Sequence, residues 1–220
     1  METFFTALRA TFVTLVLTGL VYPLVVTAGA QALFPHQANG SIVTDDKGAE
    51  VGSELIGQRF AMPEYLWSRP SANSYDGANS GGTNLGPTSK KLRDGLPDDP
   101  ATKDVDESFT GVVQLAQDYA SANELSPGTS VPVDAVTRSA SGLDPDVSPE
   151  NARLQINRIA KARRVDAARV AAVIETNTEG RELGFLGEPH VNVLAVNLAL
   201  DRKFGHPEHP APTAGATLAK

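Results

Sequence analysis

From Ala10 to Phe34 the chain carries no charged residue, and Phe12, Val13, Leu15, Val16, Leu17, Leu20, Val21, Leu24, Val25 and Val26 dominate the run. At about 1.5 Å of rise per residue, about 20 residues cover the roughly 30 Å of a bilayer's hydrocarbon, so the run predicts one membrane-spanning helix. Gly19 and Pro23 lie inside it. An interior proline costs a soluble helix about 3 kcal/mol, whereas both residues are commoner in membrane helices, and Pro23 is expected to bend this one. Ala28-Gly29-Ala30 has the small-x-small form of a signal-peptide cleavage site. The run is longer than the about 7 to 15 residues of a signal peptide's apolar region, so an uncleaved anchor is the better reading. Arg9 and the terminal amine precede the run and the next cation is Lys47, which favours a cytoplasmic N-terminus.

The division that follows is an N-terminal anchor over residues 1–36 with its core at about 10–34, a soluble domain over 40–204, and a disordered tail over 205–220. With Glu2 and Arg9 cancelling, the soluble part carries essentially the whole net charge of -7. That balance argues against nucleic acid as a partner, because phosphate contacts need an excess of lysine and arginine. The chain has no cysteine, which removes thiolate metal sites, cysteine nucleophiles and disulfides together.

Asp45-Asp46-Lys47-Gly48 reads as a turn between short strands at Ile42-Val43 and Glu50-Val51, and Glu54 to Phe60 as a further strand. Arg69 to Thr88 turns to Ser, Asn, Gly and Pro, a loop of about 20 residues; loops of that length are functional or folded against something. A partner-contact surface and a self-packed loop are both open readings. Asp106 to Asn123 predicts a helix with Phe109, Val112, Val113 and Ala116 on one side. Ser148-Pro149-Glu150 is a helix start, with a capping serine and proline at the first helical position, and that helix is expected to reach Arg164. Asp166 caps another that ends near Asn177. Val191 to Leu200 reads as a mostly buried strand. The fold class expected is α+β, one membrane helix followed by a single mixed domain.

Motifs for chemistry are sparse. Gly81 to Gly86 has Walker-like glycine spacing, but Pro87-Thr88 follows where the phosphate-binding lysine belongs. His206-Pro207-Glu208-His209 offers imidazoles and a carboxylate without rigid support, so no metal site is assigned, and no nucleophile, base and orienter assemble from spacing. Residues 149 to 169 hold Arg153, Arg158, Lys161, Arg163, Arg164 and Arg169 against Glu150 and Asp166, which makes the stretch +4. Cations near a helix C-terminus complement its dipole; a basic docking face for an acidic partner or phosphate is the other reading.

Several ordered motifs carry a family resemblance. They are Trp67-Ser68-Arg69-Pro70-Ser71-Ala72, Tyr75, Ser80-Gly81-Gly82-Thr83-Asn84-Leu85-Gly86-Pro87, Val131-Pro132, Ala140-Ser141-Gly142-Leu143-Asp144-Pro145, Ile159-Ala160-Lys161-Ala162-Arg163, Leu186-Gly187-Glu188-Pro189 and Asn197-Leu198-Ala199-Leu200-Asp201. In these the chain resembles KdpC, the C subunit of the Kdp potassium-transporting P-type ATPase.

The resemblance implies a non-catalytic accessory subunit of an ATP-driven, high-affinity potassium uptake complex. It would sit in the cell membrane as a single-pass protein, its N-terminus cytoplasmic and its C-terminal domain extracytoplasmic. Its partners would be a channel-like potassium-binding subunit, an ATP-hydrolysing subunit and a small peptide subunit. It implies no cofactor of its own, with ATP reached through the complex. It also implies a catalytic chaperone that raises the affinity of the ATP-hydrolysing subunit for ATP, with Gln155 matching a glutamine assigned to this and Arg158 beside it as nucleotide-binding candidates. From an extracytoplasmic domain such an effect is transmitted as a coupling; with inverted topology it is direct contact. Arg69, Ser71, Tyr75, Gly81, Gly82, Asn84 and Gly86 are the partner-contact candidates, and Thr14, Thr18, Gly19 and Pro23 the membrane-helix packing candidates. The competing class is a membrane-tethered extracytoplasmic enzyme or ligand-binding module.

Overall fold

The computed structural model describes residues 1–45, 47–97 and 108–206; the acidic stretch Asp98 to Glu107 and the tail after His206 lie outside them. The chain packs as two units, Met1–Leu55 and Ile56–Lys220.

In the first unit a continuous helix runs Glu2–Leu33, 32 residues, long and apolar enough to cross a membrane. It comprises α1 (Glu2–Val16), a π-helical turn (Leu17–Val21) and α2 (Tyr22–Leu33). Pro23 explains the π turn: it has no N–H to give the Gly19 carbonyl, and its ring crowds that carbonyl. The backbone widens just before it, and the Tyr22 N–H donates to the Leu17 carbonyl five residues back. A short α3 (Pro35–Ala38) leads into β1 (Ile42–Thr44) and β2 (Glu50–Ser53), antiparallel around the expected turn. The strand expected over Glu54 to Phe60 does not form: the chain turns after Ser53, and the Gly57 N–H donates to the Leu143 carbonyl at 2.8 Å.

In the second unit the elements are α4 (Lys90–Asp94), α5 (Val112–Ala122), α6 (Val133–Val136), β3 (Asp146–Val147), α7 (Pro149–Leu154), α8 (Ile156–Arg163), α9 (Ala167–Thr176), β4 (Thr178–Glu179), β5 (His190–Asn192) and α10 (Val193–Phe204). The strands form an antiparallel sheet in the order β3-β5-β4. Mixed helix and sheet after one membrane helix is the α+β class expected.

Two caps act as read. Ser148 accepts from the Asn151 N–H, and Asp166 from the Ala168 N–H. The helix from Ser148 is interrupted at Gln155, a shared boundary of α7 and α8. Of the helix expected from Asp106, residues 106–107 lie outside the described ones and the helix runs Val112–Ala122; Phe109 pairs with Leu96 in an isolated bridge and lies under the Arg138 guanidinium at 4.3 Å.

The strand expected over Val191 to Leu200 is the clearest correction. It stops at Asn192, whose side chain accepts from the Ala195 N–H and starts α10. Val193, Val196, Asn197 and Leu200 then share the buried face of a helix.

The core joins Leu66, Val147, Ala152, Ile159, Val170, Val173, Ile174, Val191, Val193, Val196 and Leu200. A smaller cluster of Tyr119, Ala135 and Val136 lies under α5 and α6. Leu66 is the exception in that core, because it belongs to no helix or strand.

Candidate functional site

Residues 63–67 carry Leu66 into the core without a strand partner, so the backbone polar groups buried with it need partners of another kind. Side chains from α8 and α10, with Gln155 between α7 and α8, supply them. The Asn197 amide brackets Leu66, Oδ1 accepting from its N–H at 2.7 Å and Nδ2 donating to its carbonyl at 2.9 Å. The Gln155 amide brackets the next residue in the same way: Oε1 accepts from the Trp67 N–H at 2.8 Å and Nε2 donates to its carbonyl at 3.3 Å. Arg158 Nη1 donates to the Pro63 and Tyr65 carbonyls at 2.6 and 3.0 Å, and Arg163 Nε to the Glu64 carbonyl at 2.7 Å. Every carbonyl from Pro63 to Trp67 is thus held by a side chain.

Arg158 does more than bridge carbonyls. Its guanidinium lies 3.8 Å from the centre of the Trp67 ring, its Nη2 donates to Gln155 Oε1 at 2.6 Å, and its Nε to Asn123 Oδ1 at 3.0 Å. Burial pushes the guanidinium down to about 10, which leaves it charged at neutral pH. From Gln155 Nε2 the network continues to Asn151 Oδ1 at 2.9 Å, and Asn151 donates to Asp134 at 3.0 Å. Tyr119 also donates to Asn151 Oδ1, at 2.7 Å, and burial raises its phenol. The structure therefore brings the two nucleotide-binding candidates, Gln155 and Arg158, together. It engages them with the protein's own backbone: Gln155 is fully buried, and all three Arg158 nitrogens donate internally.

Other cations of the +4 stretch also make contacts within the chain, several of them at the surface. Arg163 pairs with Asp201 at 2.7 Å, Lys161 pairs with Glu124, Arg153 lies 3.7 Å from Glu150, and Arg169 stacks on Phe204 at 4.8 Å. Arg164 closes α8 in the left-handed conformation.

The Ser/Gly-rich loop is folded against residues 137–144. Arg69 pairs with Asp144 at 2.6 Å, Ser71 Oγ donates to the Gly142 carbonyl at 2.7 Å, and the Tyr75 hydroxyl donates to the Arg69 carbonyl. The Gly81 N–H donates to the Ser141 carbonyl at 2.8 Å, and a Cβ on Gly82 would stand 2.9 Å from the Ala140 carbonyl oxygen. Asn84 takes φ of 53° and, with Gly86, lies on the exposed side of the loop. So Arg69, Ser71, Gly81 and Gly82 hold the loop down, while Asn84 and Gly86 face outward.

Beside Trp67 a cleft of about 440 Å³ opens, lined by Phe60, Trp67, Tyr75, Leu115 and Tyr119 with Arg59 and Asp118. Neither Gln155 nor Arg158 lines it. Burial raises the Tyr75 and Tyr119 phenols, so both are protonated at neutral pH, and no histidine lines the cleft. Its chemistry is that of apolar and aromatic contact. Sequence reasoning missed it because Leu115 and Tyr119 come from a segment distant from Phe60 and Trp67, although the density of aromatics between residues 60 and 75 was a signal.

In the membrane helix the Thr14 and Thr18 hydroxyls donate to the carbonyls of Ala10 and Thr14, both at 2.8 Å. A Cβ on Gly19 would meet nothing closer than Leu15 Cδ1 at 3.9 Å. Thr14, Thr18, Gly19 and Pro23 all lie in the helix whose residues are unburied.

Comparison with known proteins finds similarity over nearly the whole chain. The family model described as "KdpC: K+-transporting ATPase, c chain" matches residues 4–202. A potassium-transporting ATPase KdpC subunit of Myxococcus xanthus is 49% identical over 97% of this chain and 94% of its own length. That of Allorhizobium ampelinum is 51% identical over 84% and 88%, and that of Caulobacter vibrioides strain NA1000 / CB15N 47% over 86% and 87%. The chain belongs to the KdpC family.

Proposed function

We propose that the chain is a non-catalytic accessory subunit of an ATP-driven potassium uptake complex, anchored by its one membrane helix with the folded domain outside the cytoplasm. The observation that carries this reading is the family match over residues 4–202, taken with the single helix Glu2–Leu33. Its partners are the potassium-binding, ATP-hydrolysing and small peptide subunits, and its work is to support their assembly. The buried state of Gln155 and Arg158 favours an indirect route for any effect on ATP affinity, transmitted through the complex as a coupling between conformations. In this reading Gln155 positions the Trp67 segment and does not touch nucleotide.

Two measurements test it. A tagged chain purified from membranes in mild detergent should carry its partner subunits in fixed ratio, and the complex lacking it should lose potassium-stimulated ATPase activity. ATP hydrolysis by the chain alone would overturn the non-catalytic assignment. For topology, Lys47→Cys and Glu175→Cys place thiols at two exposed positions after the membrane helix. Both should react with a membrane-impermeant thiol reagent in intact cells; protection until lysis would reverse the orientation.

A further inference from the structure

Between β4 and β5 the chain makes a small projecting turn that shows water three large apolar side chains in four residues. Leu183 is 83% exposed, Phe185 68% and Leu186 47%. The turn is built and held: Glu182 and Leu186 bridge, the Leu186 N–H donates to the Glu182 carbonyl at 2.9 Å, and Arg181 pairs with Glu188 across the base at 2.6 Å. Leu183 itself has a left-handed φ of 51°, beside Gly184 at 82°. A branched side chain in that conformation is costly. Here the cost points the apolar groups outward, where folding gains nothing from them. Contiguous, rigid and exposed apolar side chains are the pattern of an interaction site.

Charge selects among the occupants. From Thr178 to His190 the segment holds Arg181 against Glu179, Glu182 and Glu188, a net of -2, with no Lys, Trp or Tyr. An anionic lipid surface would be repelled by the net negative charge, and the single Arg181, paired with Glu188, is a poor substitute for the Lys- and Arg-rich polar face of an interfacial segment. A second copy docking tip to tip would bring two acidic rims face to face. A different protein with an apolar pocket and a basic rim satisfies both the apolar tip and its charges.

We propose that the Leu183–Leu186 tip is an anchor that inserts into an apolar, basic-rimmed pocket on a partner subunit of the transport complex. This rests on the assignment of the chain as a subunit. The experiment uses the full chain, whose lack of native cysteine makes Leu183→Cys a clean reporter. In detergent alone the thiol should react freely with maleimide; in the assembled complex the rate should fall by roughly tenfold or more, as expected of a desolvated anchor. The L183S/F185S double variant should keep its thermal midpoint and lose roughly tenfold or more of its partner capture at limiting concentration. Glu182→Lys should weaken capture with the fold intact.

Labelling in the complex at the free rate, or undiminished capture by the folded double variant, overturns the proposal. Protection of Leu183→Cys in anionic or zwitterionic vesicles without partners overturns it in favour of lipid. Concentration-dependent protection of the isolated chain in detergent overturns it in favour of self-association. If the wild-type chain brings no partner at all, the subunit assignment itself fails; if it brings partners through an unprotected tip, only this inference does.

Discussion

Arg163 Nη2 lies 2.7 Å from Asp201 Oδ1, and the two side chains are 2% and 10% exposed, so α8 and α10 are joined by a buried ion pair. The same arginine holds the Glu64 carbonyl, and Tyr65 donates its hydroxyl to the other oxygen of Asp201 at 3.1 Å. Burial and then the Asp201 charge raise the Tyr65 phenol to about 12. Removing one partner leaves the other charge buried and alone. Asp201→Ala should therefore cost about 3 to 5 kcal/mol, while an Arg163→Met/Asp201→Leu double variant should lose less than the sum of the single changes. Urea denaturation of the full chain in detergent reads both.

Gln155→Ala empties the bracket around Trp67 and strands its backbone N–H and carbonyl, together with a donor of Arg158 and one of the Asn151 contacts. Each buried polar group left unpaired costs about 1 to 3 kcal/mol, so the variant should be strongly destabilised. ATP should give the wild-type chain no thermal shift. A true nucleotide site would add about 2.7 kcal/mol at one hundred times its dissociation constant, so a shift of that size in the wild-type chain would overturn the indirect route.

Gly142 takes φ of +70°, and a Cβ there would stand 2.4 Å from Asn73 Oδ1 and 2.8 Å from the Gly81 carbonyl oxygen. Gly142→Ala combines about 1 to 2 kcal/mol of left-handed backbone cost with a clash at the seam between the Ser/Gly-rich loop and residues 137–144. The loop should lift before the domain unfolds. Limited chymotrypsin digestion should then add a cut near Tyr75 in the variant that the native chain does not show.

Asp146 on β3 has its carboxyl raised by burial, an effect only partly offset by His190, whose Nε2 is 4.0 Å away. Asp144 and Glu179 add to the rise and a hydrogen bond from Asn192 opposes it. The folded state therefore binds this proton more tightly than the unfolded chain, and the stabilisation is present at low pH and lost as pH rises through the folded value. Asp146→Asn removes the titration and leaves the Asn192 contact an acceptor. The stability of Asp146→Asn relative to wild type should increase with pH from the ordinary carboxylate range upward. Denaturation at a series of pH values measures that difference.

Local signals were legible wherever one residue type determines one local geometry. Ser148 and Asp166 cap helices as their hydroxyl and carboxylate require, and the 45–48 turn joins two short strands. The membrane helix was legible from hydropathy alone. Val191 to Leu200 failed because an almost wholly apolar run satisfies both the strand and the helix period; Asn192 as a cap was the overlooked arbiter. That Arg158, Lys161, Arg163 and Arg169 meet Trp67, Glu124, Asp201 and Phe204 was not legible, because those partners come from other segments. Gln155 and Trp67 are 88 residues apart and Asn197 and Leu66 are 131 apart, and no spacing rule joins them.

The two amide brackets on Leu66 and Trp67 have a consequence for how this chain can vary. A side-chain amide that grips the backbone is indifferent to what the gripped residue carries, but not to which residue arrives. Inserting or deleting one residue between Met62 and Ser68 would deliver the wrong backbone unit to Asn197 and Gln155 and move Leu66 out of the core. Length is therefore the stricter requirement in this stretch, and composition the looser one. Natural variation here should appear as exchanges of side chain at constant spacing.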